Sequence, residues 1–85
     1  MRYTVAWTTA AEAELAEIWT SARDRQAVRA AADEIDATLR LRPTAVGESR
    51  DDGFRVLFVQ PVGVFYSVSE DDAMVVVVQV WRTSD

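Results

Sequence analysis

Residues 53–68 read GFRVLFVQPVGVFYSV, and the way this stretch turns back on itself decides the fold. "QPVG" suits a tight turn, with Pro61 in its second position and Gly63 free to take the left-handed conformation of a bulge. A three-residue loop, Pro61–Val62–Gly63, then pairs Gln60 with Val64, Phe58 with Tyr66 and Val56 with Val68. Side chains alternate across a strand, so Phe54, Val56, Phe58, Val64, Tyr66 and Val68 share one face. Arg55, Leu57, Val59, Phe65, Ser67 and Ser69 share the other. The first set is apolar throughout and is expected to lie under helices. Burying an arginine without a partner is expensive, so Arg55 is expected on the outer face. A simpler account leaves the sheet poorly covered and pairs Arg55 with a loop carboxylate, Asp51 or Asp52.

Working outward, residues 43–52, PTAVGESRDD, form a polar loop before the hairpin. Two helical periodicities precede it. Ala11, Leu15, Ile18, Trp19 and Ala22 make the first stripe, and Thr9 with Glu12 three residues on has capping-box spacing. Val28, Ala31, Ala32, Ile35 and Leu39 make the second, capped by Asp24 and expected to stop before Pro43. The short link between them implies an antiparallel helical hairpin. Residues 2–7, RYTVAW, alternate as a strand, and after the turn SEDDA comes a last strand, MVVVVQVW. Valine on both of its faces requires a central position or a covering partner. The expected architecture is α+β, with element order β-α-α-β-β-β. An antiparallel sheet is packed on one face by the helical hairpin, in one domain spanning 1–85.

Composition narrows the chemistry. The 85 residues include nine arginines, no lysine, 14 acidic residues and a net charge of −5. There is no cysteine and no histidine, so the commonest general base and the usual zinc ligands are missing. No metal or cofactor is expected. The acidic pairs Asp51–Asp52 and Asp71–Asp72 fall where turns favour aspartate. Trp7, Trp19 and Trp81 read as core or core edge. Without a basic footprint, direct binding of free nucleic acid is not expected. The N-terminus lacks the apolar stretch of a signal peptide, and no segment has the length of a membrane span. A cytoplasmic location is expected.

The segments YTVAWTTAAEAELAEIW (3–19), IDATLRLRPTAVGES (35–49), GFRVL (53–57) and VGVFYSVSEDDAMVVVVQVWR (62–82) together resemble the RelE/ParE superfamily of toxins from type II toxin–antitoxin systems. The anchors are the opening from Trp7 to Leu15, Leu41-x-Pro43 with Gly47, Gly53-x-Arg55, and Tyr66. The resemblance implies the same compact fold and a protein that inhibits growth until a cognate antitoxin binds it. It also implies two mechanisms: RelE-like members cut mRNA on the ribosome, and ParE-like members poison DNA gyrase.

Carried across, Arg50, Arg55 and Arg82 are the expected target-binding residues. In a nuclease, Arg55 and Arg82 would be catalytic and would stabilise charge on the phosphate. VWRTSD holds neither the Tyr nor the His of the nuclease members, so the reading leans away from an enzyme and toward a ParE-like toxin acting by protein–protein contact. A decayed toxin that still binds its antitoxin is a third alternative. The antitoxin is expected on Leu57, Val59, Phe65, Val76 and Val78, which have no cover in the hairpin described above. Such a surface would also let the free protein form a homodimer.

Overall fold

In the computed structural model, which describes residues 2–83, each helix starts on a side-chain cap. Thr8 has extended backbone, and its hydroxyl accepts from the Ala11 amide at 3.0 Å, which starts α1 (Thr9–Ser21). The cap is thus Thr8, one residue before the Thr9 that the spacing to Glu12 suggested. The first strand ends at Trp7, so the chain passes from strand to helix through a single residue. Asp24 caps α2 (Arg25–Leu41), accepting from Ala27 at 3.1 Å. That helix ends two residues before Pro43, as the ban on helical backbone before proline requires. It buries Val28, Ala31, Ile35 and Leu39, the expected stripe except for Ala32, which is half-buried. α1 buries Ala11 fully and packs Leu15 and Ile18 against the core, while Trp19 stays 42% exposed.

The strands are β1 (Thr4–Trp7), β2 (Glu48–Ser49), β3 (Phe54–Val59), β4 (Val62–Ser69) and β5 (Met74–Arg82), in the spatial order β1-β5-β4-β3-β2. The expected α+β fold with its helical hairpin on one face is present. The sheet is mixed rather than wholly antiparallel, because β1 runs parallel to β5, with Thr4 opposite Met74 and Trp7 opposite Val77. The two-residue β2 adds a fifth strand by pairing Glu48 with Val56 and Ser49 with Arg55. The valines of β5 have their explanation: the strand lies between β1 and β4, and Val75 and Val77 are completely buried. Among the described residues, no helix is long and apolar enough to cross a membrane.

The hairpin differs from its sequence reading in one decisive way. The turn consists of Gln60 and Pro61 alone, joined by a cis peptide bond, and Val62 and Gly63 already belong to β4. Val59 faces Val62, Phe58 faces Gly63, Leu57 faces Val64 and Arg55 faces Tyr66. Phe58 therefore sits three positions from its expected partner, and an odd shift turns β3 over relative to β4. Burial gives the reason. A three-residue loop would strand Val62 at the tip, whereas here Val62, Val64 and Tyr66 are all at 0% exposure. β4 keeps its expected orientation. In β3, Arg55, Leu57 and Val59 turn toward the helices, and Phe54, Val56 and Phe58 turn away.

Candidate functional site

Arg55 is thus not on the outer face. It stands beside fully buried Tyr66 and reaches the loop between α2 and β3. Its Nε and one terminal nitrogen donate to the Val46 carbonyl at 3.1 and 3.0 Å, and that nitrogen also reaches the Gly47 carbonyl at 3.4 Å. Neither Asp51 nor Asp52 is its partner; backbone carbonyls take that place. The Tyr66 hydroxyl adds a second tie, 2.8 Å from the Pro43 carbonyl and 3.2 Å from that of Val46. Burial raises the Tyr66 pKa above its ordinary value, opposed by the hydrogen bond and charge of Arg55. The phenol is therefore neutral at physiological pH, a donor to carbonyls rather than a base.

The loop closes tightly on this pair. Gly47 has φ +72°, and a Cβ there would come 2.5 Å from the Val56 carbonyl oxygen; glycine alone fits both constraints. Beyond β2, the Arg50 amide donates to the Phe54 carbonyl at 2.7 Å. The Arg50 guanidinium is exposed and meets Glu48 at 3.1 Å. It also donates to the Ser49 carbonyl at 3.2 Å, and a surface ion pair of this kind contributes little stability.

Arg82 lies elsewhere. It pairs across the sheet with Val62, near the hairpin turn, and donates to the Ser21 hydroxyl at the end of α1. Arg55 pairs with Tyr66, on the other side of β4. From Val62 to Tyr66 is four residues, roughly 13 Å along the strand at its usual rise. The two arginines expected to clamp one phosphate therefore sit at separate places, each held by the protein itself.

The five residues expected to take the antitoxin divide as well. Leu57 and Val59 pack against the core under the helices, a consequence of the turned β3. Phe65 and Val76 remain on the outer face. Val78 is the extra residue of a bulge, because Phe65 pairs with Gln79 while Tyr66 pairs with Val77. Beyond Phe65, the sequence reading missed the aromatic residues that dominate the outer face: Phe54, Phe58 and Trp81. Phe54 stacks on Phe65 with centroids 4.7 Å apart, and Phe58 meets Trp81 edge-on at 5.9 Å. Trp81 extends over Gly63, where any Cβ would lie 2.7 Å from its ring. A signal was present: a strand glycine marks a close approach, and Gly63 lies between Phe58 and Trp81 in register. Apart from Arg50 and Glu48 at the β2 edge, the residues in register on this face are uncharged: Thr4, Ala6, Phe54, Val56, Phe58, Gly63, Phe65, Ser67, Ser69, Met74, Val76, Gln79 and Trp81.

On the opposite side, an open cleft of about 770 Å³ runs between the helices, past Leu15, Trp19, Val28, Ala32 and Leu41. Trp7 donates to Asp36 at 3.1 Å beside it, and Asp36 pairs with Arg40 at 2.8 Å. Among the described residues no group of His, Cys, Asp and Glu could hold a metal ion.

This geometry recurs in solved structures. The toxin–antitoxin complex RelBE2 of Mycobacterium tuberculosis contains a chain that superposes with a TM-score of 0.81 at 22% identity, covering 100% of this chain and 95% of that one. A chain of the chromosomal ParDE system of P. aeruginosa gives 0.75 at 17% identity, with 98% of each chain covered. One from the archaeal RelE–RelB complex of Pyrococcus horikoshii OT3 gives 0.73 at 16%, covering 99% of this chain and 98% of that one. At these identities the likeness is one of fold. No curated protein matches the chain in sequence. The sequence profile of the ParE toxin of type II toxin–antitoxin systems, parDE, matches residues 5–85. The chain belongs to the ParE toxin family.

Proposed function

We propose that this toxin arrests growth by protein–protein contact through the outer face of its sheet, and that a cognate antitoxin neutralises it. The supporting observation is the separation of Arg55 from Arg82. A phosphoryl-transfer site needs its cations converging on one phosphate, yet Arg55 is bound to loop carbonyls and Arg82 to the end of α1. Tyr66 is wholly buried and serves as a donor to the loop. The outer face has instead the composition of a protein interface, aromatic at its centre with an arginine at its rim.

The proposed contact residues are those that the register puts on the outer face, Phe54, Phe58, Phe65, Val76 and Trp81, with Val78 at the bulge and Arg50 at the edge. DNA gyrase is the target that the ParE-like reading favours. The antitoxin is proposed because the similar chains from Mycobacterium tuberculosis and Pyrococcus horikoshii OT3 come from toxin–antitoxin complexes. A cytoplasmic location accords with such a target.

Induced expression in a bacterial host, with reporters for DNA damage and for mRNA cleavage, tests the reading. Growth arrest with a DNA-damage response, relieved by co-expressing the product of the adjacent reading frame, is the expected result. Arrest with cut mRNA would overturn the contact mechanism and make the chain a ribosome-dependent nuclease.

A further inference from the structure

Resting on the proposed contact surface, we infer that Arg55 and Tyr66 are positioning residues that hold Arg50 in place at the rim of the outer face. The chain from Pro43 to Arg50 is tied to the β3–β4 hairpin at nearly every step. Pro43 and Val46 accept from Tyr66, Val46 and Gly47 accept from Arg55, Glu48 and Ser49 pair with β3, and Arg50 donates to Phe54. The anchors are side chains of unequal exposure: Tyr66 is buried, Arg55 half-buried, and the residue they steady, Arg50, is exposed. In register Arg50 falls opposite Phe54, which places it on the same face as the Phe54–Phe65 stack. A cation fixed beside an aromatic patch binds better than one on a mobile loop, because the ordering cost is met before the partner arrives.

The guanidinium shape is essential to this role. Arg55 uses Nε and a terminal nitrogen on the same carbonyl, a fork that an ammonium cannot reproduce. Arg55→Lys therefore keeps the charge and removes the fork.

The test compares Arg55→Lys, Tyr66→Phe, Arg50→Ala and the double variant Arg50→Ala/Arg55→Lys, by growth arrest on induction and by amide hydrogen exchange of the purified proteins. Local opening raises exchange where the fastening is lost. Arg55→Lys should speed exchange of the Arg50 amide, which donates to Phe54, by about tenfold or more while the Val64 and Val77 amides keep their protection. Its growth arrest should fall to the level of Arg50→Ala, and the double variant should fall no further, since residues acting as one unit are non-additive. Arg50→Ala should leave exchange unchanged. Unchanged exchange at Arg50 in both Arg55→Lys and Tyr66→Phe would overturn the inference, as would additive losses in the double variant, which would make Arg55 a direct contact. Should Arg55→Lys lose core protection as well, Tyr66→Phe decides. Should the wild type fail to arrest growth, the proposed function fails, and the exchange data alone determine whether the pair holds Arg50.

Discussion

The two faces of the sheet are filled by different kinds of side chain. Toward the helices stand Val62, Val64, Val75 and Val77, with Tyr66 as the one large residue among them, all completely buried. Away from the helices stand Phe54, Phe58, Phe65 and Trp81, and Phe58 keeps 53% of its surface exposed. An aromatic ring has more apolar area to bury than a valine, so hydrophobicity alone would assign the faces the other way. Shape reverses this. Valine is short and stiff, and opposite alanines such as Ala11 and Ala31 it lets the helices settle close to the sheet. The rings are left outside, where they cover one another. Burial in a small domain is decided by the thickness of the layer as much as by apolarity.

The comparison can be broken most forcefully on the inner face. Ile35 is at 0% exposure in α2, and Ile35→Ala should cost about 2–5 kcal/mol, a large share of the stability of so small a domain. Urea denaturation that shows less than about 2 kcal/mol of loss, the floor for such a truncation, would mean that the helix–sheet layer is loose.

Gly63→Ala probes the outer face from below. Its Cβ would meet the Trp81 ring at 2.7 Å, so overpacking should cost about 1–3 kcal/mol. In a Trp81→Ala background the same substitution should cost little, because the clash partner is gone. A cost that persists there would show that Gly63 serves the backbone rather than the ring.

Tyr66→Phe removes the hydroxyl from the Pro43 and Val46 carbonyls and should cost about 1–2 kcal/mol for the unmet acceptor. The same variant has a pH signature. The folded-state pKa of Tyr66 is raised by burial, so the native state retains a proton that the unfolded chain releases. The stabilisation linked to that proton is complete below the unfolded value near 10.0 and disappears as pH rises through the folded value. Melting temperatures of the wild type should fall above that pH more steeply than those of Tyr66→Phe. Parallel curves would mean that the phenol is solvated.

Two smaller effects complete the series. Thr8→Ala should lose about 1 kcal/mol as a helix cap, whereas Thr9→Ala should be nearly silent. Phe58→Ala on the outer face should cost about 1 kcal/mol or less, the size of an aromatic pair contact, and still yield a folded protein. Chemical denaturation of the four variants Ile35→Ala, Gly63→Ala, Thr8→Ala and Phe58→Ala ranks the two faces directly.

Much of this arrangement is readable from local pattern. The α2 stripe, the Asp24 cap, the stop before Pro43 and the inward direction of Tyr66 all follow from spacing. Valine on both faces of β5 left a central position or a covering partner open, and the strand lies inside the sheet, between β1 and β4. The failures share a physical cause, in that they depend on contacts distant in sequence or on backbone atoms. Thr8 and Thr9 are adjacent and chemically equal, and only the end of β1 selects between them. The turn at Gln60–Pro61 was read one residue too long, and a period of two magnifies that error into the inversion of a whole strand. Arg55 binds carbonyls, which leave no trace in the sequence, so its partner could not be named while its likeness to toxin arginines could. The parallel pairing of β1 with β5 joins residues about seventy positions apart, with no local signal.

That pairing has a consequence for how the toxin comes into being on the ribosome. An inner strand of the sheet is made after the others, and until residues 74–82 have been synthesised β1 has no neighbour and the valines of β4 have one open side. Translation can therefore proceed through most of the chain without producing a finished outer face or a closed core. β5 is the partner of both β1 and β4, so a product that stops before residue 74 lacks both pairings and is expected to be inert.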